Sequence, residues 1–458
     1  MQQIGNRVIS RTPRSAKLLW PQIVDRLART RTLLAEYLWT FVAETGIMIS
    51  QICVYKLAAR ILGTEGFSEY AVARRTLALV YPISLLGLIV ALPRFIAHST
   101  SRERGSQSGY LGAALFCILA TTGTFFAVAN LRPAQVSSLF FGSRAYAGLV
   151  LPLSVTVAGL ALHTVTYAYF RGHLAMARAN SLQFVNLGVV PVLAFTLSHP
   201  DVRSILFTLG ALNLAISTVA IAFSVDFRRL FISQWERLKE LLRYGTQRLP
   251  GDLALLALFT LPTTITAHAQ GIRPAGLVAF SMLFLTTICN IFNPIGVVLL
   301  PKASRMFAEG ENAELREHVL RLAEVTAVIG GVLSLVVGLI AGPLIRFYLG
   351  PEYASAAGIV RITVLGAVPY CLFLLLSHVI DAFHYNAITA AIEIVAFVAA
   401  CAGCTVVWFT SKSVVGFLLS FMIGVLLLGV LAVVFCLRIF RYHVVPVEVL
   451  EEAPHVSD

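Results

Sequence analysis

Charge is scarce in this chain: Asp, Glu, Lys and Arg together make up 13% of its 458 residues, against roughly 25% in a soluble globular domain. With 58% hydrophobic residues and a mean hydropathy of +0.82, that scarcity excludes a water-soluble core of this size and leaves an integral membrane protein. A disulfide framework is missing as well. The seven cysteines, at 53, 117, 289, 371, 401, 404 and 436, all fall within or at the ends of apolar runs, so they read as small buried side chains. Cys401-x-x-Cys404 has no second pair beside it, which points to helix packing and not to a metal site. The glycine-lysine-serine/threonine loop that cradles nucleotide phosphates is absent, and no connection is long enough for a nucleotide domain. The longest connection on the side away from the tails, about 131–145, holds no carboxylate or histidine. A membrane-embedded polymerase or glycosyltransferase would need such groups there, so the chain reads as a non-enzyme.

What is present is repetition. Twelve segments are long and apolar enough to cross a bilayer as helices: 33–61, 67–95, 109–130, 146–171, 174–198, 203–225, 244–268, 274–300, 319–348, 355–380, 384–410 and 413–437. The chain aligns with itself at an offset of 208 residues. At that shift Gly63 falls on Gly271, Leu92-Pro93-Arg94 on Leu300-Pro301-Lys302, Phe141-Gly142 on Leu349-Gly350, and Glu44 on Asp252. Six helices per half is an even number, so the halves are parallel repeats, of the kind that rock about a shared central site in transporters.

Orientation follows from lysine and arginine. Counting the tails, 24 lie on one side of the spans and 7 on the other, and the basic side is the cytoplasmic one. Both termini are therefore expected in the cytoplasm. The net charge of +12 sits in short loops facing lipid headgroups, and does not call for nucleic acid. The basic tail is too long for the n-region of a signal peptide. The expected fold is an all-α polytopic membrane protein: a basic tail (1–32), an N-lobe (33–225), a linker (226–243), a C-lobe (244–437) and a second tail (438–458). In the linker Phe227, Leu230, Phe231, Trp235, Leu238, Leu241 and Leu242 recur at helical spacing opposite basic residues. That pattern predicts an amphipathic helix on the inner leaflet.

Ala59-Arg60-Ile61-Leu62-Gly63-Thr64-Glu65-Gly66-Phe67, followed by Tyr70-Ala71 and Leu92-Pro93-Arg94-Phe95, resembles the first two helices of bacterial polysaccharide (O-antigen/exopolysaccharide) flippases. Leu241-Leu242-Arg243-Tyr244-Gly245 resembles the entry to their seventh helix, and Leu349-Gly350-Pro351-Glu352-Tyr353-Ala354 the turn before their tenth. These flippases belong to the multidrug/oligosaccharidyl-lipid/polysaccharide exporter superfamily, with the lipid II flippase and the multidrug and toxin extruders. The resemblance implies transport of an undecaprenyl-diphosphate-linked oligosaccharide from the inner to the outer leaflet of the bacterial inner membrane. It implies a cavity between two lobes, no cofactor, and lipids and the polysaccharide polymerase or export machinery as partners. The sequence departs from the pattern in helix 2, which is usually apolar after its tyrosine but here carries Arg74-Arg75.

An anionic headgroup crossing about 30 Å of hydrocarbon needs a wet, cationic path. Lys56 and Arg60 share a face of helix 1, and Arg74 and Arg75 lie further along in helix 2. Together they form an expected phosphate-binding cluster. Adjacent helical residues point about 100° apart, so at most one of the two arginines is expected at the centre. Arg361 and His163, also within spans, are further substrate candidates, with headgroup snorkelling and ordinary packing as their alternatives. Glu44 and Asp252, equivalent across the repeat, are candidate sites for coupling to H⁺ or Na⁺. Asp381, His378 and His384 could gate the inner end, although solvated loop charges explain them better. A cation-coupled small-molecule or drug exporter of the same superfamily remains the alternative function.

Overall fold

Backbone groups in hydrocarbon have no partner but one another, so apolar runs of this length coil into helices. The computed structural model describes residues 14–99, 106–225, 234–247, 249–383 and 388–443, and among these it is helical with no strand. Ten helices are long and apolar enough to cross a membrane, and one pair bent by 41° makes an eleventh. The first of the ten, Leu38–Leu85, breaks at Gly63 (φ 66°, ψ −173°) into two antiparallel spans. Twelve spans result.

They are α1 (14–62) and α2 (64–85, continued by Leu88–Ser99 past a bend), then α3 (Ser106–Leu131), α4 (Val150–Gly172), α5 (Met176–Leu197) and α6 (Val202–Ala222). The second half holds α7 (Leu249–Gln270), α8 (Ile272–Asn290, continued by Asn293–Ala308), α9 (Asn312–Tyr348) and α10 (Ala356–Val364 with Ala367–Phe383). It ends with α11 (Ile388–Thr410) and α12 (Val414–His443). An even number of spans puts both ends of the bundle on one face, the basic face; the opposite one is the far face.

The repeat read from the sequence returns in the backbone. Gly63 and its equivalent Gly271 (φ 88°) both take positive φ at the tight α1–α2 and α7–α8 turns, where a side chain would be strained. Gly142 (φ 72°) and Gly350 (φ 126°) repeat the device before α4 and α10. Within the N-lobe α4 packs on α6, and within the C-lobe α12 packs on α10 and α11. The lobes meet where α1 and α2 lie against α7 and α8. One apolar core runs from this contact through the C-lobe. A second fills the basic half of the N-lobe between α2, α3 and α4.

The linker differs from its expectation in one respect. Residues 226–233 lie outside the described residues, but Gln234–Gly245 is a helix as expected. Its apolar side is spent on protein: Leu238 and Leu241 are buried in the N-lobe core, worth about 1.5–3 kcal/mol each. Arg94 Nη1 and Glu240 Oε2 tie the helix to the lobe through hydrogen bonds with Tyr244 and Tyr110. Among the described residues of the linker, Trp235 alone of the large apolar side chains stands well exposed.

Candidate functional site

Twelve packed helices offer few places for a guanidinium, and the contact between the lobes takes two. Arg74 and Arg75 lie eleven and twelve residues past Gly63, about 16–18 Å along α2 from the far face, near mid-depth of the hydrocarbon. Both are half-buried. Arg74 turns toward its own lobe. Its Nη1 donates to the Tyr70 hydroxyl at 3.3 Å, its Nη2 to Gln51 Oε1, and its guanidinium lies 5.7 Å from the Tyr55 ring and 5.8 Å from that of Tyr70. Arg75 reaches across. Its Nε and Nη2 donate to the Phe259 carbonyl in α7 at 3.0 and 2.9 Å, with the Phe259 ring 5.6 Å away. Pro262, three residues on, lies inside α7, and a proline there loosens the hydrogen bonds of the preceding turn.

The expectation that at most one of the two arginines is central is therefore corrected. Both sit on the seam, because α2 has α1 on one side and α7 on the other. The single four-cation cluster is corrected too. Lys56 Nζ lies 5.5 and 6.0 Å from the Phe347 and Tyr348 rings at the end of α9, and Arg60 is exposed. Arg361 stands apart from the seam. It is exposed, donates through Nε to the Gly338 carbonyl of α9 at 3.1 Å, and lines an apolar outer groove of about 630 Å³. His163 is buried inside the N-lobe, with Nδ1 2.9 Å from Asn186 Nδ2 and its ring stacked on Tyr167.

Glu44 and Asp252 are both exposed, and Glu44 accepts from Gln183 Nε2 at 2.9 Å. Among the described residues the buried carboxylate is Glu393 of α11, packed against Gly251. Asp381 accepts from Thr389 at 2.7 Å and the His378 ring contacts the Leu374 carbonyl; His384 lies outside the described residues.

Toward the far face the seam is closed by rings and backbone bonds. Tyr55, Phe67, Phe280 and Tyr353 interlock with centroids 4.9–6.0 Å apart. Arg273 donates to Thr64 Oγ1 at 3.0 Å, Tyr353 to the Ala59 carbonyl at 3.4 Å, and Tyr348 to that of Ile52. Gly276 lets α8 approach until a Cβ there would stand 2.3 Å from Ser68 Cα. Gln51, Tyr55 and Tyr70 escaped the sequence reading, as aromatics and amides in spans are ordinary packing residues. The Phe259 carbonyl left no side-chain signal at all.

Among curated proteins none matches the sequence. Solved structures do share the fold. An inward-facing multidrug resistance MATE family transporter of the MOP superfamily aligns with a TM-score of 0.73 at 15% identity, over 86% of this chain and 95% of that one. The lipid II flippase MurJ in its inward closed conformation gives 0.69 at 12% identity, over 92% and 93%. An outward-facing MATE transporter gives 0.61 at 14% identity, over 88% and 96%. The sequence profile of one family, described as polysaccharide biosynthesis protein, matches residues 33–307. More than half the chain lies within that match, and the chain belongs to this polysaccharide biosynthesis protein family.

Proposed function

We propose that the protein is a flippase that moves an undecaprenyl-diphosphate-linked oligosaccharide from the inner to the outer leaflet of the bacterial inner membrane by alternating access, with both termini in the cytoplasm. The observation that carries this reading is the pair of guanidinium groups at mid-depth on the seam between two lobes. A charged side chain at a span centre costs roughly 2.5–3.5 kcal/mol. Two adjacent ones are retained where they can meet an anion. Paired N–H donors suit a diphosphate.

The geometry also suggests how loading could lead to opening. The far half of the seam is tied shut, and Arg75 contributes one tie through the Phe259 carbonyl. A diphosphate entering from the basic face, with its lipid tail left in the bilayer, competes for those same N–H groups. Binding then removes a bond between the lobes and favours separation at the far face. Glu44 and Asp252, exposed on the basic half, would be covered as that side closes, which is where coupling to H⁺ or Na⁺ is assigned. The polysaccharide polymerase or export machinery would take the product.

Leaflet-resolved detection of a labelled diphosphate-linked oligosaccharide in proteoliposomes tests the proposal. Arg74→Ala with Arg75→Ala should abolish translocation while membrane insertion persists. Normal translocation by that variant rejects the cationic seam. A parallel assay with cationic dyes addresses the drug-exporter alternative, since guanidinium groups in the path disfavour a cationic substrate.

A further inference from the structure

The hydrogen bonds that hold Arg74 begin in a different helix. Over Phe184–Val189, α5 changes from α- to π-type hydrogen bonding, an insertion that widens one turn and turns carbonyls outward. α1 uses two of them. Ser50 Oγ donates to the Gly188 carbonyl, and Gln51 Nε2 donates to that of Leu187 at 3.3 Å. The same Gln51 accepts from Arg74 Nη2 through Oε1. α1 comes this close because Gly46 faces the Phe184 ring, where a Cβ would stand 2.5 Å from Cε2.

The widened turn is braced from behind. Asn186, at its middle, is buried and donates through Nδ2 to Ser217 Oγ of α6 at 3.0 Å and to His163 Nδ1 of α4 at 2.9 Å. The chain of contacts thus runs from α4 and α6, through the π-turn, to Gln51 and on to the seam.

We infer that Gln51 is a positioning residue that sets the Arg74 guanidinium for its anionic ligand, and that the π-turn of α5 is the frame that sets Gln51. An amide fits this place because it donates to one neighbour while accepting from another. Without it the arginine keeps its charge but loses its fixed direction, and binding must then order a long side chain. A return of the turn to α hydrogen bonding withdraws the Leu187 carbonyl and frees Arg74, so the N-lobe interior controls the grip on the headgroup.

This inference deepens the flippase reading and rests on Arg74 meeting the phosphate. The test is binding of undecaprenyl diphosphate to the full-length protein in nanodiscs, for Gln51→Leu, Arg74→Ala and the double variant. Gln51→Leu should bind about tenfold more weakly, as expected for loss of a hydrogen bond to a charged group, with its thermal midpoint kept. In the Arg74→Ala background it should cause no further loss. Additive losses overturn the positioning role and leave the flippase reading standing. Unchanged binding by Arg74→Ala instead removes the phosphate site itself, and the role of Gln51 with it. Deleting Val185, to restore α register, should reproduce the Gln51→Leu loss. Retained affinity there overturns the role of the turn, and the point variants decide the rest should the deletion fail to fold.

Discussion

The two lobes share a backbone plan and differ in what they bring to the seam. At the offset of 208, Arg74 and Arg75 fall on Met282 and Leu283, and Gln51 falls on Phe259. The adjacent arginines thus grip equivalent positions: Arg74 takes the side chain at 51 in its own lobe, and Arg75 takes the backbone at 259 in the other. At mid-depth charge comes from the N-lobe, and the second lobe answers with a carbonyl and an aromatic face. Duplication supplied the symmetric frame. Function needs the asymmetry, since a second arginine pair facing the first would repel it.

The largest effect expected from breaking this contrast is Met282→Arg. Met282 is 1% exposed, so the new charge is buried without a partner and should cost at least about 3 kcal/mol. A stable, well-inserted Met282→Arg protein in a denaturant titration would show that either lobe accepts the charge. Next comes Gly276→Val. Its Cβ would stand 2.3 Å from Ser68 Cα, so the far side of the seam cannot close. Hydrogen exchange at Thr64–Ser68 should rise at least about tenfold, and protection equal to the native protein contradicts the closure described here.

Gly63→Ala and Gly271→Ala sharpen the symmetric side. Both positions have positive φ with open space around the site of a Cβ, so each change should cost roughly 1–2 kcal/mol through backbone strain alone. Equal shifts in thermal midpoint are expected, and a marked inequality means that the turns are not equivalent. The smallest effect belongs to Asp201, the N-cap of α6, which accepts from the Ser204 N–H at 2.9 Å. Partial burial pushes its carboxyl up, but the hydrogen bonds from Ser204 outweigh it and hold it below the ordinary aspartate range. A depressed folded-state value means stability present above the unfolded-state value of about 3.9 and lost as pH falls through the folded one. Asp201→Ala should cost about 1 kcal/mol at neutral pH, with the difference from the native protein shrinking in acid.

The spans, the repeat and its paired glycines were legible because apolar length and glycine punctuation are properties of the chain itself. The bend in α10 was not. Segment 355–380 reads as one continuous apolar run, yet the helix turns by 41° between Val364 and Ala367. The site was half legible. In-span arginines announce themselves by their cost, but helical spacing gives a direction relative to the helix's own axis and not the neighbour waiting there. Lys56 and Arg60 share a face, yet one meets the rings of α9 while the other is exposed. Glu44 and Asp252 look alike in sequence as carboxylates inside apolar runs, and both lie exposed. Glu393 of α11 is the one that is buried.

The end of the linker helix is pinned where α2 bends: Gly245 packs on Gly87 so tightly that a Cβ on Gly87 would stand 2.2 Å from its carbonyl oxygen. Only residues 246–248 then separate the N-lobe from the start of α7, a leash that lets Gly245 and Leu249 part by at most roughly 13–14 Å when taut. Whatever swing the halves make, their basic ends at this corner stay within that reach, and the wider excursion falls to the opposite side of the membrane.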